Sequence, residues 1–281
     1  MVQDVNKSNL EFSTMHTWYW QTWEGLPYLT CSLLKPWRHG FFTQQFSPRL
    51  PSELVQVLQP DAEVYRVKQV HGNTVLMPSE IAAVAPQKID NEQNSVAEFP
   101  PADGLVTEKP QQAVWVCSAD CTPVLIGDTY TGQVAAIHAG WRGTATRIVP
   151  QAIAKLIASG SQLENLLVAM GPAIAGEVYQ VSETVAAEVG ASILPDAKES
   201  ILDTLQQLPN SPVLPDPQPG RLRLDVRRVN VMQLEQLGIH PQQIAIAPHC
   251  TYQEPEHFFS YRRDKLKKVQ WSGIVSLGSV G

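Results

Sequence analysis

Three short apolar runs follow one another with only turn residues between them: 113–117 (AVWVC), 123–126 (PVLI) and 133–137 (QVAAI). Each is too short for a helix, and Asp120, Gly127, Asp128 and Gly132 punctuate them, so they read as neighbouring β-strands. A helical pattern follows at once. Over residues 143–159, Ile148, Ala152, Ile153, Leu156 and Ile157 fall on one stripe, and Gly160 is a natural stop. Pro150 must lie early in that helix or kink it. Adjacent strands followed by strand–helix alternation point to an α+β fold with mixed sheets, not a purely parallel one.

The rest of the chain extends the pattern. Residues 64–70 (VYRVKQV) and 74–77 read as strands around a turn at Gly72 and Asn73, and 166–170, 243–247 and 273–277 as later strands. Ser182 is placed to cap a helix running to about Val189, with Glu183 near its positive end. Asp225 is placed to cap another, through Leu237, that Gly238 stops. Residues 85–101 are polar and carry proline, and 208–220 (LPNSPVLPDPQPG) is dense in proline. Proline removes a backbone donor and stiffens the chain, so the second stretch reads as an exposed insertion in a single domain spanning 1–281.

Several function classes fall away on composition. At 281 residues the chain can bury a large core. Its net charge of −6 and its one short lysine cluster (Lys265, Lys267, Lys268) lack the wide basic footprint of a nucleic-acid binder. No run approaches the roughly 20 apolar residues of a membrane span. The first twelve residues, MVQDVNKSNLEF, hold no apolar segment of the signal-peptide kind, so a cytoplasmic protein is expected. In that reducing compartment Cys31, Cys117, Cys121 and Cys250 are expected free or metal-bound.

Three segments carry metal-type side chains beside turn-forming residues: KQVHG (68–72), SADCTP (118–123) and HAGWRG (138–143). His71, Cys121 and His138 together would give two imidazoles and a thiolate with a fourth position open, as in catalytic zinc sites. Each also has a plain reading: a turn histidine, a small buried cysteine, a satisfied core histidine. Arg142 falls near a helix N-terminus, where a phosphate or carboxylate is favoured. Asp103 and Asp120 are candidates for orienting ligands or exchanging protons, or are turn aspartates bonded to backbone. Gln69 could orient a substrate. Cys117 shares a strand face with Trp115 and reads as core. His249 and Cys250, adjacent on an extended segment, should point to opposite faces. The FFSYRR run (258–263) suits stacking and anion contacts in a pocket, or a plain strand with a charged end.

The segments HGFFT (39–43), KQVHG, ADGLVT (102–107), CSADCTPVLIGD, AAIHAGWRGT, GPAI (171–174), LDVRRVN (224–230) and CTYQEPEHFFSYRRD occur in order, and in these the chain resembles the YfiH-like family, also described as laccase-domain polyphenol oxidases, purine nucleoside phosphorylases or peptidoglycan editing factors. The resemblance runs from about Trp37 to the C-terminus. It implies a four-layer α-β-β-α sandwich with mixed sheets. It also implies a metal site at His71, Cys121 and His138, holding zinc, or copper as in some members. Where relatives carry an arginine and glycines after the HGF-T segment, this chain has Gln44 and Gln45. Where they often carry cysteine near GPAI and CTY, it has Glu177 and Gln253.

The resemblance implies a zinc-dependent enzyme that phosphorolyses adenosine, inosine and methylthioadenosine and deaminates adenosine. Cys121, His138 and Arg142 would be its catalytic residues, and the small-molecule partners a purine nucleoside and phosphate, with no nucleic acid and no membrane. Three other readings stand beside it. One is a cell-wall precursor amidase in which His138 activates Cys121 as a nucleophile. Another is a copper polyphenol oxidase, although the chain lacks histidine-rich spacing for a copper cluster. The last is a metal-stabilised binding protein, which would want a fourth protein ligand such as Cys117 or Cys250.

Overall fold

A computed structural model of the chain describes residues 16–84, 99–194 and 200–278. The N-terminal twelve residues and most of the polar stretch 85–101 lie outside the described residues. In chain order the elements are β1 (Trp18–Trp23), β2 (Leu26–Cys31), β3 (His39–Phe42), α1 (Pro51–Leu58), β4 (Glu63–Tyr65), β5 (Val75–Leu76), α2 (Pro78–Val84), β6 (Gly104–Val106), β7 (Gln112–Ser118), β8 (Thr122–Asp128) and β9 (Val134–Ala139). There follow α3 (Trp141–Ala145), α4 (Ile148–Ala158), β10 (Leu166–Met170), β11 (Gln180–Ser182), α5 (Glu183–Ala191), α6 (Ile201–Gln207), β12 (Val213–Pro215), β13 (Arg221–Leu224), α7 (Val226–Leu237), β14 (Ile244–Ile246), α8 (Tyr261–Asp264) and β15 (Gln270–Val275).

The strands build two six-stranded sheets, β1-β2-β3-β15-β7-β4 and β14-β10-β8-β9-β6-β5, and a small sheet β11-β13-β12. Both large sheets are mixed. β4 runs parallel to β7, and β5 to β6 and β10 to β14, while the other pairs are antiparallel. Their inner faces meet through Phe41, Val114, Val116, Leu125, Ala136 and Ile274. Outside the first sheet, Leu54, Val55 and Leu58 of α1 pack on Trp115 and Trp271. Outside the second, Ile148, Ile153 and Leu156 of α4 and Val231 and Leu234 of α7 pack on Val124, Ile126 and Ile137. The result is the expected α-β-β-α sandwich. β8 is buried along its whole length, which is why it reads as a continuous apolar run and not as an alternation.

Local signals place several element ends correctly. Ser182 accepts from the Val185 amide at the start of α5, Asp225 accepts from the Arg228 amide at the start of α7, and Gly238 ends α7 at a φ of 96°. Three expectations need correction. The single helix over 143–159 is two pieces, broken at Arg147, whose φ is 62°. The break puts Pro150 in the first turn of α4, where its missing donor costs nothing. The strand over 64–70 ends at Tyr65, because the amides of Val70, His71 and Gly72 turn to a side chain instead of a ladder. The proline-dense stretch 208–220 is not all exposed loop. Val213–Pro215 pairs with β13, and Val213 is buried among Val181, Leu205 and Leu224. Proline tolerates such a place because the strand lies at an edge.

The packing between β15 and β7 is tight. A Cβ on Gly273 would come within 2.4 Å of the Trp115 ring. Gly273→Ala is expected to lower stability by about 1–3 kcal/mol through overpacking, read as a shifted denaturant midpoint at unchanged slope.

Candidate metal centre

The centre forms where the middle strands of the second sheet end. Register brings the segments together: Thr122 pairs with Ala139, so Cys121 comes opposite Gly140, and Gly104 pairs with Ile137, so Asp103 comes opposite His138. His71 reaches the same place from the loop between β4 and β5. The donor atoms of His71, Cys121 and His138 lie within 4.8 Å of one another. His71 is exposed, Cys121 half-buried and His138 buried. Neither Cys117 nor Cys250 joins the cluster among the described residues. Cys250 Sγ instead accepts from the Ala175 amide at 3.3 Å.

Asp103 organises this cluster from beneath. Its buried carboxylate accepts from His138 Nδ1 at 2.9 Å and from the amides of His71 (2.9 Å), Gly72 (2.7 Å) and Val70 (3.2 Å). Three successive amides converging on one anion form a nest. It holds His71 in the left-handed region at a φ of 61°, unusual for a side chain of that size. Since an ionised carboxylate can only accept, His138 donates from Nδ1, which turns its Nε2 to the cluster. Burial pushes the Asp103 carboxyl up, but the His138 hydrogen bond and the amides outweigh it and hold the group below the usual carboxylate value.

The same balance sets the other two groups. Burial pushes the Cys121 thiol up, yet the charge and hydrogen bonds of His138, with those of His71, bring it down to about 6. Burial also pushes His138 down, and the Cys121 thiolate with Asp103 raises it to about 9. Between those values the metal-free pair is thiolate and imidazolium. Alkylation of Cys121 in metal-stripped protein is therefore expected to rise with pH through about 6 and then level. A midpoint near the ordinary thiol value of about 8.5 would refute the pairing.

Close packing leaves no slack. A Cβ on Gly140 would lie 2.8 Å from Cys121 Sγ and 3.5 Å from His71 Cδ2, and one on Gly143 would lie 2.9 Å from the Gly72 carbonyl oxygen. Asn73 Nδ2 donates to the Thr146 carbonyl at 3.0 Å, tying the His71 loop to the segment after His138. Gly140→Ala is expected to push the thiolate from its place and to weaken metal binding about tenfold or more, measured by competition with a chromogenic chelator.

Other expected site residues divide. Arg142 is exposed, with its guanidinium 4.3 Å from the centroid of the Trp141 ring, and five-residue α3 gives it little helix dipole. Gln69 does not face the site. Its amide brackets the backbone of Cys117, accepting from its N–H and donating to its carbonyl, both at 2.7 Å. Asp120, at a φ of 95°, accepts from Thr251 Oγ1 and the Arg262 amide, each at 2.7 Å, and so joins the Cys121 turn to the C-terminal segment. His249 pairs with Glu254 at 2.8 Å, away from the Cys250 thiol. Arg263 donates to the carbonyls of Thr251, Tyr252 and Phe258 and is a structural clip. Gln44 and Gln45 donate to the carbonyls of Pro255 and Glu256.

Tyr179 is a residue that the motifs do not single out. Burial and the nearby Cys121 push its hydroxyl up to about 12, against the pull of Arg262 and Arg142. Arg262 lies over its ring at 4.7 Å. Tyr179 thus brings a hydroxyl toward Cys121, with the two arginine cations around Tyr179 itself. The only sequence signal was an arginine pair in FFSYRR, with nothing to connect it to position 179.

A family model described as multi-copper polyphenol oxidoreductase laccase matches residues 51–275. The chain belongs to this laccase-domain, YfiH-like family. Within the family it is 55% identical over 265 residues to a purine nucleoside phosphorylase of Synechocystis sp., covering 92% of this chain and 97% of the relative. It is 34% identical over 220 residues to a purine nucleoside phosphorylase of Corynebacterium glutamicum, covering 78% and 76%. The fold matches the crystal structure of YlmD from Geobacillus stearothermophilus with a TM-score of 0.71 at 23% identity, covering 92% of this chain and 98% of that one. It also matches YfiH from Bacillus licheniformis with a TM-score of 0.69 at 23% identity, covering 89% and 96%. Among the described residues, no helix is long and apolar enough to cross a membrane.

Proposed function

We propose that the protein is a zinc-dependent purine nucleoside phosphorylase of the cytoplasm, taking adenosine, inosine and methylthioadenosine, and that it also deaminates adenosine. The observation that carries this reading is the three-donor cluster, intact in a chain 55% identical to a purine nucleoside phosphorylase. The donor set fits the ion. Two imidazoles and a thiolate suit zinc, one imidazole is oriented by a carboxylate as zinc-bound histidines usually are, and Gly140 keeps the space beside the thiolate clear. The set also suits copper, so zinc is the choice that goes with nucleoside chemistry.

His71, Cys121 and His138 would hold the ion, and when bound it supplies a Lewis acid that polarises an oxygen. In phosphorolysis the bond from the base nitrogen to C1′ breaks, a phosphate oxygen bonds to C1′, and the base leaves with a proton. Arg142 and Arg262 supply positive charge for the phosphate, and the exposed Arg142 guanidinium, lying over the Trp141 ring, can swing to it. Tyr179, neutral at all ordinary pH, can donate its hydroxyl proton in a hydrogen bond to phosphate or ribose. In deamination water adds at C6 of the purine and ammonia leaves. Asp103 keeps His138 in one tautomer throughout.

A second reading rests on the Cys121–His138 ion pair, in which a thiolate present at neutral pH attacks an amide of a cell-wall precursor. Metal analysis with adenosine turnover separates the two. About one zinc per chain, with phosphate-dependent adenine release that stops on chelation, supports the phosphorylase. Inosine formed without phosphate supports deamination. A chain that purifies without metal and turns over no nucleoside refutes both and leaves the amidase.

A further inference from the structure

The LDVRRVN segment has no part in the chemistry above, yet α7, which it opens, carries two amide side chains buried against the site's own backbone. Asn230 and Gln233 are fully buried, three residues apart on one helix face. Asn230 Nδ2 donates to Thr144 Oγ1 at 3.0 Å and to the Val226 carbonyl at 2.8 Å. Gln233 Nε2 donates to the Thr144 carbonyl at 2.9 Å and to Ser192 Oγ at 2.7 Å. Thr144 is thus held at its hydroxyl and its carbonyl. Its own N–H donates to the Gly140 carbonyl at 2.9 Å, and Gly140 is the residue packed against Cys121 Sγ.

The arrangement is a poor one for stability alone. Among the described residues, buried Asn230 Oδ1 and Gln233 Oε1 have no hydrogen-bond partner. An orphaned buried acceptor is destabilising, and leucine of similar shape would remove it. Polar groups kept under such a cost mark sites where geometry matters more than stability. The need for a clamp follows from Pro150. Breaking the helix at Arg147 gives α3 only five residues, too few to hold itself.

We propose that Asn230 and Gln233 are positioning residues that lock α3 by way of Thr144, and so fix both Arg142 and the spacing of Gly140 from Cys121. The kinetic consequence rests on the phosphorylase reading, whereas the mechanical one does not. Asn230→Leu, Gln233→Leu and Thr144→Val should be compared with the parent by hydrogen exchange, thermal melting and steady-state kinetics with adenosine and phosphate. Thr144→Val leaves α7 untouched, so it serves if either leucine variant fails to fold.

Positioning predicts faster amide exchange confined to residues 139–147, by about tenfold or more, with melting close to the parent's. It also predicts a KM for phosphate raised about tenfold, ahead of any change in the KM for adenosine. The Asn230→Leu and Thr144→Val effects should not add, since they break one contact. Parent-like exchange in 139–147 would overturn the inference, as would a fall in melting temperature with exchange raised evenly across α7 and its neighbours. If the parent itself releases no adenine with phosphate, the phosphorylase reading fails, and exchange alone decides the clamp.

Discussion

Asp103→Ala is expected to destabilise the metal-free protein by about 3–5 kcal/mol, more than any other single substitution considered, because it breaks a buried charged pair and strands three amides at once. The loss should appear as a lower denaturant midpoint. Removing the carboxylate also frees the His138 ring and relaxes the left-handed turn at His71. Metal affinity is therefore expected to fall about 10- to 100-fold, as it does when the carboxylate behind a ligating histidine is removed. Asp103→Asn tests the charge with little change in shape. Its oxygen can still accept, but its nitrogen meets donors, so it should fall between the parent and alanine. A variant with parental stability and metal affinity would mean that the nest does not organise the cluster.

Cys121→Ala and His138→Ala are expected to lose both the metal and the reaction. Each removes one of three donors, and two remaining ligands do not retain zinc through purification. A Lewis acid worth several kcal/mol in the transition state corresponds to a fall of about a thousandfold or more in phosphate-dependent base release. Cys117→Ala is the control. Its thiol, pushed up to about 12 by burial, faces the α1 side of the first sheet, and its loss should leave metal content unchanged. Full metal content in both Cys121→Ala and His138→Ala would refute the centre. Loss of metal from Cys117→Ala would point instead to a closed, structural site.

These substitutions follow from residues that differ in how far the sequence exposes their roles. His71, Cys121 and His138 stand out because each is a metal-type side chain beside turn residues at the end of an apolar run. Local chemistry suffices to nominate them, and it also places the caps at Ser182 and Asp225 and the stop at Gly238. Periodicity fails where long-range contacts override it. The strand after Tyr65 is lost to a carboxylate some thirty residues away, and the helix after His138 breaks to accommodate Pro150. Val213 is drawn into a sheet from a stretch whose composition reads as loop.

The sequence by itself determined the candidate donors, the succession of short strands and the family, because these depend on residue type and near-neighbour order. Only the tertiary structure decided which aspartate does what. Asp103 and Asp120 look alike in the sequence, each beside a strand and a turn. Register alone sets Asp103 opposite His138 and under the amides of the His71 loop, while Asp120 is bonded to Thr251 and Arg262. The same holds for Tyr179, Asn230 and Gln233, whose partners lie on other elements. Their roles are properties of distance in space, which strand pairing and helix packing create and which residue order does not contain.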